Sequence, residues 1–368
     1  GLMVRLEISL SGGRSYPIEI CEGGLHGLGA SVVASMGSCG RLHLVTNPVV
    51  GALYLSHALD SLRGAGLDVV VHEVPDGEAH KTVSTWEGLV ESLLAAGIGR
   101  RDVVVALGGG VTGDLAGFAA STVLRGVRCI QVPTTLLAMV DSAVGGKTGV
   151  NGRQGKNLIG AFHQPSLVYA ALGVLDTLDD AEWRCGLGEV VKHGMIADPS
   201  IFELCEQHPR RVLDRDETVV SQLVEKSCAV KASVVAEDEK ESGWRRILNF
   251  GHTAGHAVES ALGHGRLRHG ECVAVGMRAE TAWAVDRGLC GEDVLERLVG
   301  ALSGLHMCQE IPFVREQDLH RAVGVDKKRE GGTIEMAVPI QIGSVQLHRL
   351  PIFEVLKMLD RVSVAVEG

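Results

Sequence analysis

An α/β half with a parallel sheet, followed by a mainly helical half, is what this sequence predicts, and three observations carry the prediction. Short runs rich in Val, Leu and Ile alternate with helically spaced segments as far as Ala170. Glycine is abundant, at 48 of 368 residues, while aromatic side chains make up only 4%, a composition suited to tight turns and close backbone packing. Beyond about Asp176 the texture changes to long amphipathic stretches. A chain of this length, 45% hydrophobic, suits two domains, and the change of texture places them at 1–177 and 178–368.

The elements follow in order. Arg41–Asn47 reads as a buried strand, Leu53–Leu62 as a helix and Asp68–Val74 as a second strand. This βαβ pattern implies parallel pairing. Asp102–Leu107 is a third strand and runs straight into Gly108-Gly109-Gly110, with a helix expected over Leu115–Ser121. Arg128–Val132 is a fourth strand, stopped by Pro133, and Leu167–Ala170 a fifth. In the second half Val219–Val235 and Val273–Arg287 are amphipathic helices.

Charge and cysteine usage narrow the function classes. The formal net charge is -10, which disfavours nucleic acid or an anionic membrane as the main partner. No segment has the unbroken apolar length of a membrane helix, and no signal-peptide pattern stands at the N-terminus. The nine cysteines are dispersed without a CxxC pair, as expected of reduced thiols in the cytoplasm.

Two glycine-rich segments carry candidate chemistry. Gly108-Gly109-Gly110-Val111-Thr112-Gly113-Asp114 joins a strand to a helix. Such a turn lets backbone N–H groups approach a pyrophosphate at a helix N-terminus, and it serves equally as a plain tight βα turn; Asp114 is a candidate helix cap. Glu78 and Lys81, just past the second strand, suit ribose hydroxyls or a solvated loop. Further on, Pro133-Thr134-Thr135, Asp141, Gly145-Gly146-Lys147-Thr148-Gly149 and Gly155-Lys156-Asn157 form a polar, glycine-rich loop region. Gly146-Lys147-Thr148 resembles the end of a P-loop, but Asp141 occupies the position of the leading glycine, so a P-loop ATPase is disfavoured. The lysines, aspartate and asparagine suit an anionic, hydroxyl-bearing ligand.

The histidines are the sharpest signal. His252 and His256 are four residues apart, which on a helix places both imidazoles on one face. His269 follows, and Glu189 lies upstream with Lys192 three residues beyond it. Two imidazoles and a carboxylate are the usual protein ligands of a catalytic zinc with an open position. An isolated HxxxH pair also occurs as packing or as a solvated face, but here Lys231, Arg245 and Asn249 crowd the same region, and so many polar groups are costly to bury without a partner.

Taken together, these segments resemble the 3-dehydroquinate synthase family of sugar phosphate cyclases. The resemblance runs from about Asn47 to Gly343. It rests on the triglycine turn, Arg125-Gly126, Pro133-Thr134-Thr135, Gly145-Gly146-Lys147-Thr148-Gly149, Gly155-Lys156-Asn157, Glu189-Val190-Val191-Lys192, Leu248-Asn249-Phe250-Gly251-His252, His269-Gly270-Glu271 and Asp326-Lys327-Lys328. It implies an α/β N-terminal Rossmann-like NAD domain with a parallel sheet and a mainly α-helical C-terminal metal-binding domain, a dehydroquinate synthase-like fold with the site in the cleft between. It implies Glu189, His252 and His269 as ligands of a divalent metal, zinc or alternatively cobalt, with NAD as cofactor and with His256 beside the substrate rather than on the metal. Lys147, Lys192, Lys231, Arg245, Asn249 and His256 match the family's catalytic positions. Arg125, Asp141, Asn157, Lys327 and Lys328 match its substrate contacts.

The implied NAD contacts are Asn47, Glu78, Lys81, Gly109, Gly110, Gly113 and Asp114, then Thr134, Thr135, Asp141, Lys147, Lys156 and Thr177. Asn47 stands where other members can carry an acidic residue. Arg125 matches an arginine that reaches the neighbouring subunit's phosphate site, which implies a homodimer acting on a small sugar phosphate. The implied reaction is a lyase reaction of the shikimate pathway. It converts 3-deoxy-D-arabino-heptulosonate 7-phosphate to 3-dehydroquinate by transient oxidation, loss of phosphate, re-reduction and aldol closure. Another sugar phosphate cyclase, a metal-dependent polyol dehydrogenase of related architecture and a non-catalytic binding protein are the competing readings.

Overall fold

The computed structural model describes residues 3–263, 265–327 and 332–365. The side chains of 324–327 and everything at 328–331 lie outside that description, so the expectations for Lys327 and Lys328 do too. The chain divides into two compact units: Gly1–Leu178 with Lys231–Ala236, and Asp179–Val230 with Glu237–Gly368.

The first unit opens with β1 (Met3–Ser9) and β2 (Ser15–Cys21), then α1 (Leu28–Met36) and β3 (Leu42–Thr46). Next come α2 (Pro48–Val50), which a π-helical turn joins to α3 (Ser56–Gly64), then β4 (Val69–Glu73) and α4 (Val83–Ala95). They are followed by β5 (Val103–Gly108), α5 (Gly110–Thr122) and β6 (Arg128–Pro133). The unit ends with β7 (Lys147–Gly152), β8 (Gly155–Phe162) and β9 (Leu167–Ala171). Seven strands form one sheet in the order β1-β2-β9-β6-β5-β3-β4. Every pairing in it is parallel except β1 with β2.

The five strands expected from sequence are all in this sheet. Strand β5, Val-Val-Val-Ala-Leu-Gly, is buried along its whole length, as a parallel strand covered by helices on both faces must be. Leu107→Ala there would cost about 2–5 kcal/mol. From β3 the chain winds outward to β4, then crosses to β5 and winds the other way through β6 to β9. The carboxyl ends of β3 and β5 therefore flank the point where strand order reverses, which is where open α/β sheets bind ligands.

Three local expectations change. The helix after β5 begins at Gly110 rather than Leu115, and its cap is Gly109, so Asp114 lies inside the helix and does not cap it. The polar region expected as loop is the antiparallel hairpin β7–β8. Its Gly, Lys and Asn content hides the strands because a two-stranded ribbon, with β8 largely exposed, needs no apolar alternation. The N-terminal hairpin β1–β2 extends the sheet by one antiparallel edge.

The second unit contains α6 (Asp180–Ile196), α7 (Pro199–Gln207), α8 (Pro209–Leu213) and most of α9 (Glu217–Glu237). Further helices are α10 (His252–Leu262), α11 (His269–Asp286) and α12 (Glu292–Gly304). Then come β10 (Glu310–Ile311), α13 (Glu316–Lys327), the hairpin β11 (Thr333–Gln341) and β12 (Ser344–Pro351), α14 (Ile352–Leu359) and β13 (Ser363–Val364). It is mainly helical, as expected. Helix α6 starts on Asp179, whose carboxylate accepts the Glu182 N–H at 2.7 Å. Helix α11 starts on a reciprocal turn in which Glu271 Oε2 accepts the Arg268 N–H at 2.9 Å.

Candidate active site and its candidate metal ligands

Glycines let the helices of the second unit come together at the histidines. Gly188 on α6 faces Gly270 on α11 so closely that a Cβ on Gly188 would lie 2.6 Å from the Gly270 carbonyl oxygen. Gly251 precedes α10 with φ +79, and a Cβ there would meet Met277 Cγ at 2.5 Å and the Val273 carbonyl at 2.9 Å. Each of these glycines adjoins a candidate metal ligand: Gly188 before Glu189, Gly270 after His269 and Gly251 before His252. Backbone contact at the three points converges the three side chains.

Glu189 is fully buried, and its Oε1 lies 3.0 Å from His252 Nε2 and 2.8 Å from His269 Nε2. Its Oε2 pairs with the Lys192 ammonium, one turn along α6. Burial by itself would raise this carboxyl, but Lys192 and the two imidazoles outweigh it and hold it well below its ordinary range. His252 Nδ1 lies 3.0 Å from the Phe250 carbonyl. In the tautomer that donates its Nδ1 proton there, the Nε2 lone pair points at a carboxylate oxygen. Two lone pairs facing each other in a buried site call for a cation between them. The three ligand atoms lie within 4.8 Å of one another. The donor set therefore fits a divalent metal of the zinc class, with the carbonyl-anchored imidazole fixing the tautomer.

His256 is exposed on α10, its ring edge-on to that of His252 at 5.4 Å, and it stands outside the ligand group. Arg245 is buried; its Nη1 donates to the Glu239 carbonyl at 2.6 Å and its backbone N–H to Asp238 at 2.9 Å. Asp238, which sequence reasoning missed, also accepts the N–H groups of Ser242 and Gly243. Burial works to raise this carboxyl, yet those backbone donors bring it down to about 2. The signal available was the run Asp238-Glu239-Lys240-Glu241-Ser242-Gly243, a turn composition directly before Arg245. Asn249 is exposed at the end of the 3₁₀ turn Trp244–Asn249.

In the first unit, Asn47 follows β3; it accepts the Val50 N–H and donates to Thr112 Oγ1. Gly109 and Gly110 open α5 with no side chain on the cap, so the backbone N–H groups of the first turn face the strand ends. A Cβ on Gly109 would lie 3.2 Å from Thr135 Cγ2, and Gly113 packs against Gln131, which donates to its carbonyl. Lys81 is buried and bonds Asp114 at 2.9 Å, with Glu78 at 3.7 Å. Burial pushes the Asp114 carboxyl up to about 6 in spite of that ammonium.

Lys231 donates to Asp141 Oδ1 at 2.7 Å and also bonds the Asp141 carbonyl. Thr134 is buried and Thr135 half-buried just after β6. Lys147, Asn157 and Arg125 are exposed, Asn157 and Arg125 with positive φ, while Lys156 is half-buried. Thr177 is exposed and bonds the Tyr54 hydroxyl. Among the described residues no helix is long and apolar enough to cross a membrane.

The family models for the N-terminal and C-terminal parts of 3-dehydroquinate synthase match residues 71–185 and 186–329. The chain belongs to the 3-dehydroquinate synthase family. A 3-dehydroquinate synthase of Geotalea uraniireducens is 44% identical over 331 residues, covering 90% of this chain and 92% of its own length. Two solved cyclases share the fold with a TM-score of 0.86 each. One is a 2-deoxy-scyllo-inosose synthase complexed with carbaglucose-6-phosphate, NAD+ and Co2+, 26% identical, covering 97% of this chain and 99% of its own. The other is a 2-epi-5-epi-valiolone synthase of Streptomyces hygroscopicus with NAD+ and Zn2+ bound, 29% identical, covering 96% and 98%. Both the α/β parallel-sheet expectation and the helical C-terminal half agree with these relatives.

Proposed function

We propose that this chain is a phosphorus–oxygen lyase that converts 3-deoxy-D-arabino-heptulosonate 7-phosphate into 3-dehydroquinate and inorganic phosphate. The observation that carries this reading is the convergence of Glu189, His252 and His269 beside the buried Lys192 ammonium. The 44% identity to a 3-dehydroquinate synthase, against 26% and 29% to cyclases with other products, favours this substrate over theirs.

Residues 1–177 form the NAD-binding domain and 178–368 the metal- and substrate-binding domain in this reading. Glu189, His252 and His269 hold the metal, zinc or cobalt. The N–H groups at Gly109 and Gly110 hold the NAD pyrophosphate. Asn47, Glu78, Lys81, Gly113, Asp114, Thr134, Thr135, Lys156 and Thr177 line the rest of the NAD site. When bound, NAD accepts and returns one hydride, and the divalent cation polarises the hydroxyl at that carbon.

The chain's own side chains supply position and charge. Lys192 fixes Glu189 Oε2, so the carboxylate turns its other oxygen to the imidazoles. Asp141 aims the Lys231 ammonium. Arg245, anchored by Glu239 and Asp238, brings a planar fork to the substrate carboxylate, with Asn249 at its hydroxyls. Lys147, Asn157, His256 and Arg125, the last from a neighbouring copy in a homodimer, gather the phosphate end. Oxidation beside the C–H bond makes that proton acidic. The departing phosphate, held by these cations, takes it up as the C–O bond breaks. The net charge of -10 and nine free cysteines favour a cytoplasmic enzyme of small molecules, with neither nucleic acid nor membrane as partner.

The test mixes the protein with NAD, a divalent metal and the heptulosonate phosphate. Stoichiometric free phosphate without accumulated NADH is expected. Accumulating NADH would make the chain a dehydrogenase, and turnover of a hexose phosphate instead would make it another cyclase.

A further inference from the structure

Glu280 lies eleven residues beyond His269 on α11, about three turns along and on the same side of the helix. It is 1% exposed, and among the described residues no cation pairs with it. Its two carboxyl oxygens divide between two backbone donors: Oε1 accepts the Gly251 N–H at 3.1 Å, and Oε2 lies 3.4 Å from the Ala254 N–H. Those donors bracket His252. Gly251 is the left-handed residue that turns the chain into α10, and Ala254 sits in the first turn of that helix. One buried carboxyl thus ties the turn presenting one metal ligand to the helix that carries another.

We infer that Glu280 is a positioning residue for the metal site, holding His252 in register with His269. The inference rests on the reading of Glu189, His252 and His269 as metal ligands. Burying a carboxyl is costly, and burial pushes this one up to about 8. A fold needing only apolar packing here would do better with Leu or Met. The carboxyl's distinct property is that both its oxygens keep lone pairs whether or not it carries a proton, so it offers acceptors in two directions at the N-terminus of α10, where orphan N–H groups gather. Glutamine offers one acceptor and would turn its NH₂ toward a second N–H. Glycine is required at position 251 by φ +79 and by Met277 Cγ and the Val273 carbonyl, so the turn has no side chain of its own to hold it, and the hold comes from α11.

The experiment adds cobalt(II) alone to the full-length, metal-stripped chain and reads affinity and the visible d–d absorption bands, which report ligand geometry. Glu280→Gln should bind cobalt about ten-fold more weakly, the lower end of what outer-shell changes produce, with shifted bands. Val258→Ala, a cavity in the buried face of the same helix α10, should lower the Tm and leave the bands in place. Glu280→Asp, with two acceptors on a shorter stem, should bind cobalt with intermediate affinity, and its readouts stand in should the glutamine variant not fold. Wild-type cobalt affinity and bands in either folded Glu280 variant would overturn the inference while leaving the metal site intact. If the wild-type chain itself bound no cobalt, the metal reading would fall and this inference with it.

Discussion

Each unit of this molecule holds two imidazoles and a carboxylate within hydrogen-bonding range, and the two sets are wired differently. In the first unit they form a series. Asp102 Oδ2 lies 3.0 Å from His43 Nε2, His43 Nδ1 lies 3.0 Å from His72 Nε2, and His72 Nδ1 lies 2.7 Å from Ser92 Oγ. One assignment of protons satisfies every member: Ser92 donates to His72, His72 to His43 and His43 to Asp102. In the second unit both Nε2 atoms converge on Glu189 Oε1, and no neutral assignment satisfies the set while His252 gives its Nδ1 proton to Phe250. A series closes upon itself and stabilises the sheet. A convergence leaves a place for a cation. The chemical groups are the same in the two sets, and connectivity separates structure from chemistry.

The largest effect should come from breaking the convergence. His269→Ala is expected to lose the bound metal and all turnover, measured by metal content after gel filtration and by phosphate release, because a three-ligand site loses a third of its protein coordination. His72→Gln should keep both; if it lost the metal, the contrast between the sets would be void. Glu189→Gln keeps the shape but leaves Lys192 buried without its counter-charge. It should cost about 3–5 kcal/mol of stability, read by denaturant titration.

The series should show itself in acid. Burial, reinforced by the neighbouring His43, lowers His72 from 6.5 to about 4. A base held neutral in the folded state contributes its full stability above 6.5. That contribution drains away as pH falls from 6.5 toward 4, reaching about 3 kcal/mol for a shift of this size. The Tm of wild type should therefore fall more steeply over that window than that of His72→Gln, and equal slopes would refute the assignment. The smallest effect is expected at the exposed end of the series. Ser92→Ala removes one hydrogen bond next to solvent and should cost about 1 kcal/mol, with cobalt binding unchanged.

Much of the fold was legible because parallel strands buried on both faces read as apolar runs, as Val103–Gly108 does. The hairpin β7–β8 was not, since Lys147-Thr148-Gly149 and Gly155-Lys156-Asn157 have the composition of loops, and their pairing comes from contact across the ribbon. At the site, the histidine spacing and Glu189-Val190-Val191-Lys192 were legible. Asp238 and Glu280 were not. Asp238 looks like any acidic turn residue, and Glu280 sits in the apolar run Ala279-Glu280-Thr281-Ala282-Trp283, twenty-odd residues from the turn it holds.

By itself the sequence determined the residue types, the strand runs, the charge of -10 and the order of the motifs, all of which are local or summed properties. A helix carries His252 and His256 on one face, and nothing local says which of them meets Glu189. The tertiary structure decided that. Missing Cβ atoms at Gly188 and Gly251 let α6 and α10 close onto α11, so that His252 and His269 reach the same buried oxygen while His256 stays outside. Pairings between segments sixty and eighty residues apart depend on which backbones can touch, and that is settled only when the whole unit packs.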